Sequence, residues 1–273
     1  MRRVEFLGVE GIGKTTLYNE LIRKRGKKDN WITLDEASDK IACKYSKERS
    51  RTSFIHLIAS ILLRFPFQKH IKSSLCDLIL QMPQEEAVRQ NGSYHLFFQS
   101  IMDFCNVNQY SQQLRLYRIT ELYKFACRII YLESNDNSDL VVVEGGAILA
   151  YGLLMSHWLE DCEDMVRNFF LNTPPPTGII YCKLNSEETI NRIQRRKESG
   201  IITLAHRDSK NHKSLVENNQ LQNIIKNQSD MAAIGVKALK NKGVLILEID
   251  MGDTQEKNIL KIRRFLSELN VKY

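Results

Sequence analysis

The stretch VEFLGVEGIGKTTL, residues 4–17, is the most informative part of this sequence. A run rich in β-formers leads into three glycines, and a lysine and two threonines then open a helix-like segment. The spacing Gly8-x-x-x-x-Gly13-Lys14-Thr15 is the signature of a phosphate-binding loop, and a preceding strand and a following helix are the context it requires. Glycines let backbone N–H groups converge on phosphate oxygens, and the helix adds its positive dipole end.

The residue types in this loop have distinct expected roles toward a nucleoside triphosphate. Lys14 would reach the β- and γ-phosphates, and the hydroxyl of Thr15 would bind Mg²⁺. The alternative is a glycine-rich turn that binds nothing, and the complete spacing argues against it. The residues expected to bind the nucleotide are Gly8, Gly11, Ile12, Gly13, Lys14, Thr15 and Thr16.

Composition limits the class of protein. The chain has 273 residues, of which 43% are hydrophobic and 26% charged, and this suits one elaborated domain with a large core. No apolar run reaches about 18 residues, so no membrane partner is expected. Six scattered cysteines without a Cys-x-x-Cys pair favour reduced thiols over zinc or disulfides. Because the first strand begins close to Met1, no cleaved signal is expected, and we predict a cytoplasmic protein.

The net charge of +7 and the pI of about 9 leave two kinds of partner open. Basic residues attract nucleic acid, but they also attract small anionic substrates. The densest basic run, RKRGKK at residues 23–28, lies where the first helix should end, and cations are favourable there. We therefore expect a small-molecule acceptor as partner. Nucleic acid is left open but not favoured, and a homodimer is also left open.

Five apolar segments separated by helical patterns predict a parallel sheet covered on both faces. They are RVEFLG (3–8), WITLD (31–35), LVVVE (140–144), GIIYCKL (178–184) and GVLILEI (243–249). Ligands bind at the carboxyl ends of such strands. The interval between the second and third strands is too long for one crossover, so residues of about 45–115 are expected to form a helical insertion within a single domain, residues 1–273.

Acidic residues follow two of these strands, at the edge where the phosphate loop is expected. Glu144 ends the third strand, where it could hold Mg²⁺ or accept a proton from an acceptor hydroxyl. A turn acid without a catalytic role is the alternative. Asp35 and Glu36 follow the second strand, and either could bind a substrate hydroxyl or form a helix N-cap pair.

The segment SEETINRIQRRKESG, residues 186–200, predicts a helix with three arginines on one face. Arg192, Arg195 and Arg196 stand at i, i+3 and i+4. Guanidinium groups so close together favour nearby anions, and phosphoryl transfer needs such donors for the charge on the transferred oxygens. A solvated basic face is the alternative. Residues of about 197–215, which follow through Gly200 and many polar residues, are expected to form a lid.

Taken in chain order, these segments resemble the thymidylate kinase-like branch of the P-loop nucleoside and nucleotide kinases. FLGVEGIGKTTL looks like that family's phosphate loop, and residues 116–152 resemble its long helix, third strand and following turn. GIIYCKLNSEETINRIQRRKESG is similar to its fourth strand and arginine-bearing helix, and GVLILEID to its fifth strand. Two positions depart from the family: Glu144-Gly145 stands in place of Asp-Arg, and Asp35-Glu36-Ala37 in place of Arg-Glu-Pro.

The resemblance implies an α/β fold: a P-loop kinase-type three-layer sandwich with a five-stranded parallel sheet, an Arg-bearing lid and a helical insertion. It implies ATP and Mg²⁺ as cofactors, with Glu10 facing the sugar hydroxyl of the acceptor. The departures make a nucleoside or another hydroxyl compound at least as acceptable as a nucleoside monophosphate.

The expected function is therefore ATP-dependent transfer of the γ-phosphate to a small acceptor: a nucleoside monophosphate, a nucleoside or another sugar hydroxyl. A nucleotide-dependent switch or nucleic-acid-associated NTPase is the alternative, and a polynucleotide kinase lies between the two. The expected catalytic residues are Lys14, Glu144, Glu36, Arg192, Arg195 and Arg196; the substrate-binding residues are Glu10 and Glu36, and the metal ligands Thr15 and Glu144.

Overall fold

The computed structural model describes residues 1–49, 76, 80, 83–84, 86–87, 94–107, 112–135, 139–144, 163–200 and 218–272. The strands in these ranges are β1 (Arg2–Leu7), β2 (Trp31–Thr33), β3 (Leu140–Val143), β4 (Gly178–Lys183) and β5 (Leu245–Asp250). The helices are α1 (Lys14–Arg23), α2 (Leu34–Arg49), α3 (His95–Val107), α4 (Gln112–Ser134), α5 (Glu163–Asn172), α6 (Ser186–Glu198), α7 (Asn218–Asn241) and α8 (Gln255–Lys272).

The five strands form one all-parallel sheet in the order β2-β3-β1-β4-β5, which confirms the predicted α/β class and the five-stranded parallel sheet. β1 is central, between β3 and β4. Strands on one side of β1 are β3 and β2, and those on the other side are β4 and β5, so the strand order reverses at β1. In open parallel sheets, the crevice at the carboxyl ends beside such a point is where ligands bind.

The second strand is shorter than predicted. β2 ends at Thr33, so Asp35 and Glu36 lie in the first turn of α2 rather than at the end of the strand. The hydroxyl of Thr33 accepts from the backbone N–H of Glu36 at 3.1 Å, and this contact begins the helix early. The fifth strand is also shifted, since it begins at Leu245 rather than at residue 243.

Alternating strand residues supply the cores on the two faces of the sheet, as the two-residue period of a strand requires. Val4 and Phe6 of β1 are buried in a cluster with Leu17 of α1 and Ile262 of α8. Leu7, one position further on, belongs to a different cluster that includes residues of α5 and α7. Helices therefore cover both faces of the sheet.

Part of the expected insertion packs directly on the main core. Phe97 of α3 is fully buried, and its ring lies 5.8 Å from that of Phe169 of α5. α3 lies within the expected insertion, and α4 begins near its end and leads toward β3. Most of residues 50–93 lies outside the described part of the chain. Among the described helices, none combines the length and apolar character needed to cross a membrane.

A charged cluster occupies the other end of the sheet, where β1 begins. Arg3 and Glu5 are almost fully buried, and the guanidinium donates to Glu5 Oε1 at 2.5 Å. Arg3 also donates to Glu133 of α4, whose other carboxylate oxygen accepts from the hydroxyl of Tyr94 at 2.7 Å. These contacts tie α4 and the residue before α3 to the central strand.

Candidate functional site

A glycine-rich loop, residues 8–13, joins β1 to α1 at the carboxyl edge of the sheet. Two of its glycines are required by geometry. Gly11 has φ +80°, and a Cβ there would lie 2.3 Å from Cγ1 of Ile193 on α6. Gly13 has φ +106°, in the left-handed region that side chains rarely adopt. The loop can therefore curl tightly and lie against α6 only because these positions lack side chains.

Gly13 is also the N-cap residue of α1, and it has no side chain with which to cap the helix. The first backbone N–H groups of a helix have no intrahelical partners. Together with the positive end of the helix dipole, such groups form a site for anions. The start of α1 therefore has the chemistry that a phosphate group needs.

Lys14 is folded back along the loop that precedes it. Its ammonium group donates to the carbonyl oxygens of Gly8 at 2.7 Å and Val9 at 2.8 Å. Burial lowers the pKa of Lys14, while the nearby carboxylates of Glu144 and Glu10 oppose that shift. A cation thus lies inside the curve of the loop, held by neutral carbonyl groups that a phosphate could replace.

Thr15 and Glu144 meet at the carboxyl ends of β1 and β3. The hydroxyl of Thr15 donates to Oε1 of Glu144 at 2.8 Å. Two oxygen atoms at this distance from each other can both coordinate one Mg²⁺ ion. In proteins Mg²⁺ usually keeps several water ligands and binds one or two protein groups together with the substrate phosphates. Within the described ranges, no three His, Cys, Asp or Glu side chains converge as a metal site. The pair therefore fits a magnesium ion shared with a phosphate group, and does not fit a metal site made of protein ligands alone.

Glu36 is engaged at the start of α2. One carboxylate oxygen accepts from the backbone N–H of Thr33 at 2.8 Å and from the guanidinium of Arg25 at 2.6 Å. Together with the Thr33 hydroxyl contact, this arrangement is a capping box. Hydrogen bonding from Arg25 lowers the pKa of Glu36 to about 2. A carboxylate with this pKa is a weak base, so the geometry gives Glu36 a structural part.

Several polar and charged side chains lie near Tyr18, beside the end of β3. The Tyr18 hydroxyl donates to the carbonyl oxygen of Val142 at 3.3 Å. Arg128 of α4 donates to Asp35 at 2.8 Å and to the hydroxyl of Ser38 at 2.7 Å. Burial raises the pKa of Tyr18, and the charges of Asp35 and Glu144 raise it further. Arg128 could not be selected from the sequence, because one arginine in a long helix has no distinguishing pattern.

The three arginines of α6 lie together on a cleft beside the glycine-rich loop, as their spacing predicted. The cleft has a volume of about 340 Å³ and is lined by Arg192, Arg195, Arg196, Gly11, Gly13 and Thr16. Asn185 is the N-cap residue of α6, and its side chain accepts from the N–H of Glu188 at 2.7 Å. Of the expected lid, residues 197–200 complete this helix and its end, and residues 201–215 lie outside the described ranges.

Arg192 donates to backbone carbonyl oxygens, and among the described residues no such contact is seen for Arg195 or Arg196 in the cleft. It donates to the carbonyl oxygens of Ile12 at 3.0 Å and Met251 at 3.2 Å, and to Glu188 at 2.7 Å. Ile12 belongs to the glycine-rich loop and Met251 follows β5. Arg192 therefore joins the two walls of the cleft.

The segment after β5 supplies the far wall, and the sequence interpretation missed it. Met251, Asp253, Gln255 and Asn258 line the cleft. These residues follow the carboxyl end of a parallel strand, as Glu144 does. Because ligands bind at the carboxyl ends of such strands, the same reasoning would have selected these residues from the sequence.

Glu10 lies in the loop itself. Its backbone N–H donates to the side-chain oxygen of Gln228 on α7 at 3.2 Å, which ties the loop to that helix. Its carboxylate is close enough to Lys14 to affect that residue's pKa.

No protein-family model matches this chain, and no curated protein matches it either. Its function is therefore inferred from the glycine-rich loop, the Thr15–Glu144 pair and the cleft.

Proposed function

We propose that this protein is a P-loop kinase that transfers the γ-phosphate of ATP to a small acceptor. The observation that carries the proposal is the contact between Thr15 and Glu144, directly after an uncapped helix start and beside a folded-in lysine. A phosphate-binding lysine, a threonine and a strand-end acid are the parts that P-loop phosphotransferases use.

The glycine-rich loop and α1 bind the donor phosphates in this proposal. Backbone N–H groups at the start of α1 contact phosphate oxygens, and the Lys14 ammonium leaves the carbonyls of Gly8 and Val9 to pair with the β- and γ-phosphates. The energetic exchange is favourable, since a charge-assisted hydrogen bond to phosphate is stronger than one to a neutral carbonyl.

Thr15 and Glu144 would hold Mg²⁺. When bound, the ion neutralises charge on the phosphate oxygens. The threonine hydroxyl and the carboxylate are already directed at each other, so little reorganisation is needed to present both oxygens to one ligand.

The three arginines of α6 have two different roles in this proposal. Arg192 holds the loop and the β5–α8 segment in place through their carbonyl oxygens. Arg195 and Arg196, on the same cleft, stabilise charge on the transferring group. This division follows from the contacts, because a guanidinium that already donates to two carbonyls has fewer donors for phosphate.

The acceptor enters from the side of Tyr18, Asp35 and Arg128. Its hydroxyl oxygen bonds to the γ-phosphorus as the bond to the β–γ bridging oxygen breaks, and ADP leaves. The hydroxyl proton passes to a carboxylate at this edge of the sheet, where Asp35 and Glu144 both lie around Tyr18. In a loose transition state the demand for a strong base is small.

The test is a screen of nucleosides, nucleoside monophosphates and sugars for acceptor-dependent release of ADP from ATP and Mg²⁺. One class of acceptor should raise the rate well above hydrolysis alone, and Lys14→Ala should remove the increase. If ADP release proceeds equally with and without every acceptor, the protein is not a kinase of this kind.

The alternative, a nucleic-acid-dependent NTPase, finds less support in the contacts. Within the basic run, Arg23 and Lys24 both contact Glu20, and Arg25 pairs with Glu36, so three of its cations have carboxylate partners nearby. Stimulation of ATP hydrolysis by DNA or RNA, without any small acceptor, would favour this alternative.

A further inference from the structure

The side of the site that faces the proposed acceptor is rich in charged groups. Among the described residues, three carboxylates and two guanidinium groups lie close enough to the Tyr18 hydroxyl to interact with it electrostatically, namely those of Asp35, Glu36, Glu144, Arg25 and Arg128. The carboxylates outnumber the guanidinium groups by one. What this side can bind therefore depends on whether either guanidinium is available to a ligand.

Both guanidinium groups are already paired with carboxylates. Arg25 donates to both oxygens of Glu36, at 2.6 Å and 2.5 Å. Arg128 donates to Oδ1 of Asp35 at 2.8 Å and to the hydroxyl of Ser38 at 2.7 Å, and its side chain is 20% exposed. A phosphate dianion is held best by a guanidinium whose charge is not already balanced, because its strong contacts are charge-assisted. Neither of these two arginines offers that.

The arginines of α6 lie on the other side of the central strand. α6 follows β4, and the strand order places β4 and β5 across β1 from β3 and β2. The cleft that these arginines line is formed by Gly11, Gly13 and the segment after β5. In the proposed function they therefore serve the donor phosphates. The acceptor side, beside β3 and β2, has the carboxylates as its main charged groups.

Asp35 is the carboxylate on this side that is best placed for a hydroxyl group. It lies in the first turn of α2, and its side chain is 43% exposed although Arg128 holds one of its oxygens. An ionised carboxylate only accepts hydrogen bonds, so it suits the hydroxyl groups of a sugar. A phosphate monoester has no donor to match it and adds negative charge.

We propose that the acceptor is an uncharged polyhydroxy compound, a free nucleoside or a sugar, with one hydroxyl donating to Asp35, and that its phosphate monoester is excluded. This inference rests on the proposed kinase function. The hydroxyl makes a charge-assisted hydrogen bond, whereas a phosphate dianion would face the carboxylates of Asp35 and Glu144, and like charges brought together oppose binding. Arg128 acts here as a positioning residue, because it holds Asp35.

Paired acceptors test the inference on the unaltered protein. Thymidine, cytidine, adenosine, guanosine and ribose are each assayed beside their own 5′-monophosphate for release of ADP from ATP and Mg²⁺. For the best pair, kcat/KM should be at least about tenfold higher for the uncharged member, because the monoester brings like charges together.

Inhibition separates the effect of charge from the loss of a hydroxyl. The 5′-O-methyl ether of the best acceptor blocks the same oxygen as the monophosphate does, but it carries no charge. The ether should inhibit transfer at least about tenfold more strongly than the monophosphate.

The matching variant is Asp35→Asn, which removes the charge and keeps the size of the side chain. It should raise KM for the uncharged acceptor about tenfold, leave KM for ATP within about twofold, and reduce the difference between the two inhibitors to less than about threefold. Asp139→Asn is the control, because Asp139 pairs with Lys40 just before β3 begins, at the opposite end of the sheet. It should leave all three values unchanged.

Three results would count against the inference. Preference for the monophosphate in the pairs, or equal inhibition by the ether and the monophosphate, would overturn it and leave the kinase function standing. An unchanged inhibitor difference in Asp35→Asn would overturn the part given to Asp35. If no compound of either kind raises ADP release, the proposed function itself fails. The paired assays on the unaltered protein do not depend on whether Asp35→Asn folds.

Discussion

The hydroxyl of Thr15 lies 2.8 Å from the carboxylate of Glu144, although 129 positions separate the two residues in the chain. The contact exists because β1 and β3 are parallel neighbours, with Glu5 in register with Val143. Their carboxyl ends meet at one edge, where the loop after β1 turns back over the end of β3. Thr15 lies in the first turn of α1 and Glu144 directly follows β3, so both groups are held by regular elements and their separation should change little when a ligand binds.

Glu144→Gln should lower kcat by about 10²- to 10⁴-fold, the range typical for loss of an acid or base acting at the reacting group. Apparent ATP affinity should change little, because the glycine-rich loop supplies most of the phosphate contacts. Glu36→Gln is the matched control, since that carboxylate is already engaged by Arg25 and Thr33. Steady-state kinetics at saturating ATP distinguish the two, and a larger loss in Glu36→Gln would reverse these roles.

Lys14→Ala should abolish transfer and leave the fold intact. Within the described part of the chain, the Lys14 ammonium donates to loop carbonyls, and loss of its phosphate contact in the transition state costs about 3 kcal/mol or more. Thermal unfolding should stay close to that of the parent protein. Lys27→Ala, at an exposed position in the basic run, is the control and should keep full activity. Near-normal turnover in Lys14→Ala would rule out the phosphate-loop assignment.

Arg192→Ala and Arg195→Ala should differ in kind. Arg192 joins the loop to the β5–α8 segment, so its removal should lower the free energy of unfolding by about 1–2 kcal/mol and weaken nucleotide binding. Arg195 is exposed, so its removal should change stability by less than about 0.5 kcal/mol and lower kcat. Urea unfolding and kinetics on both variants measure this. Equal stability of the two variants would contradict the bridging role of Arg192.

The contribution of Glu36 to stability should depend on pH. Hydrogen bonding from Arg25 lowers the pKa of this carboxyl in the folded state from 4.5 to about 2. Because the folded-state pKa is the lower one, the contribution is complete above pH 4.5 and is lost as the pH falls toward 2.

Glu36→Gln should therefore lower the free energy of unfolding by about 1 kcal/mol at pH 7, a modest value because the ion pair is partly exposed. The difference from the parent protein should shrink as the pH falls from 4.5 toward 2. Urea unfolding at several pH values measures it. A difference that stays constant over this range would show that the capping box, rather than the charge on Glu36, is what stabilises α2.

Much of the fold could be predicted because its signals are local. Buried strands are short apolar runs, and the glycine-rich loop is recognisable from a spacing of a few residues. The boundary of β2 was wrong for a local reason too: Thr33, Asp35 and Glu36 also form a helix start, and capping takes precedence over the apolar run. For the site, the sequence selected Lys14, Thr15, Glu144 and the arginines of α6, while Arg128 and Asn258 were missed.

The chain's local chemistry is thus sufficient for the strands, the helices and the loop, because backbone geometry and side-chain period act over a few residues. Local chemistry does not determine which residues far apart in the chain come into contact. That Arg3 is buried with Glu133, that Arg192 reaches Ile12 and Met251, and that Asn258 lines the same cleft all depend on strand order. The strand order places β1 between β3 and β4. This order depends on the helices covering both faces of the sheet at the same time, and no single segment of the sequence specifies that packing.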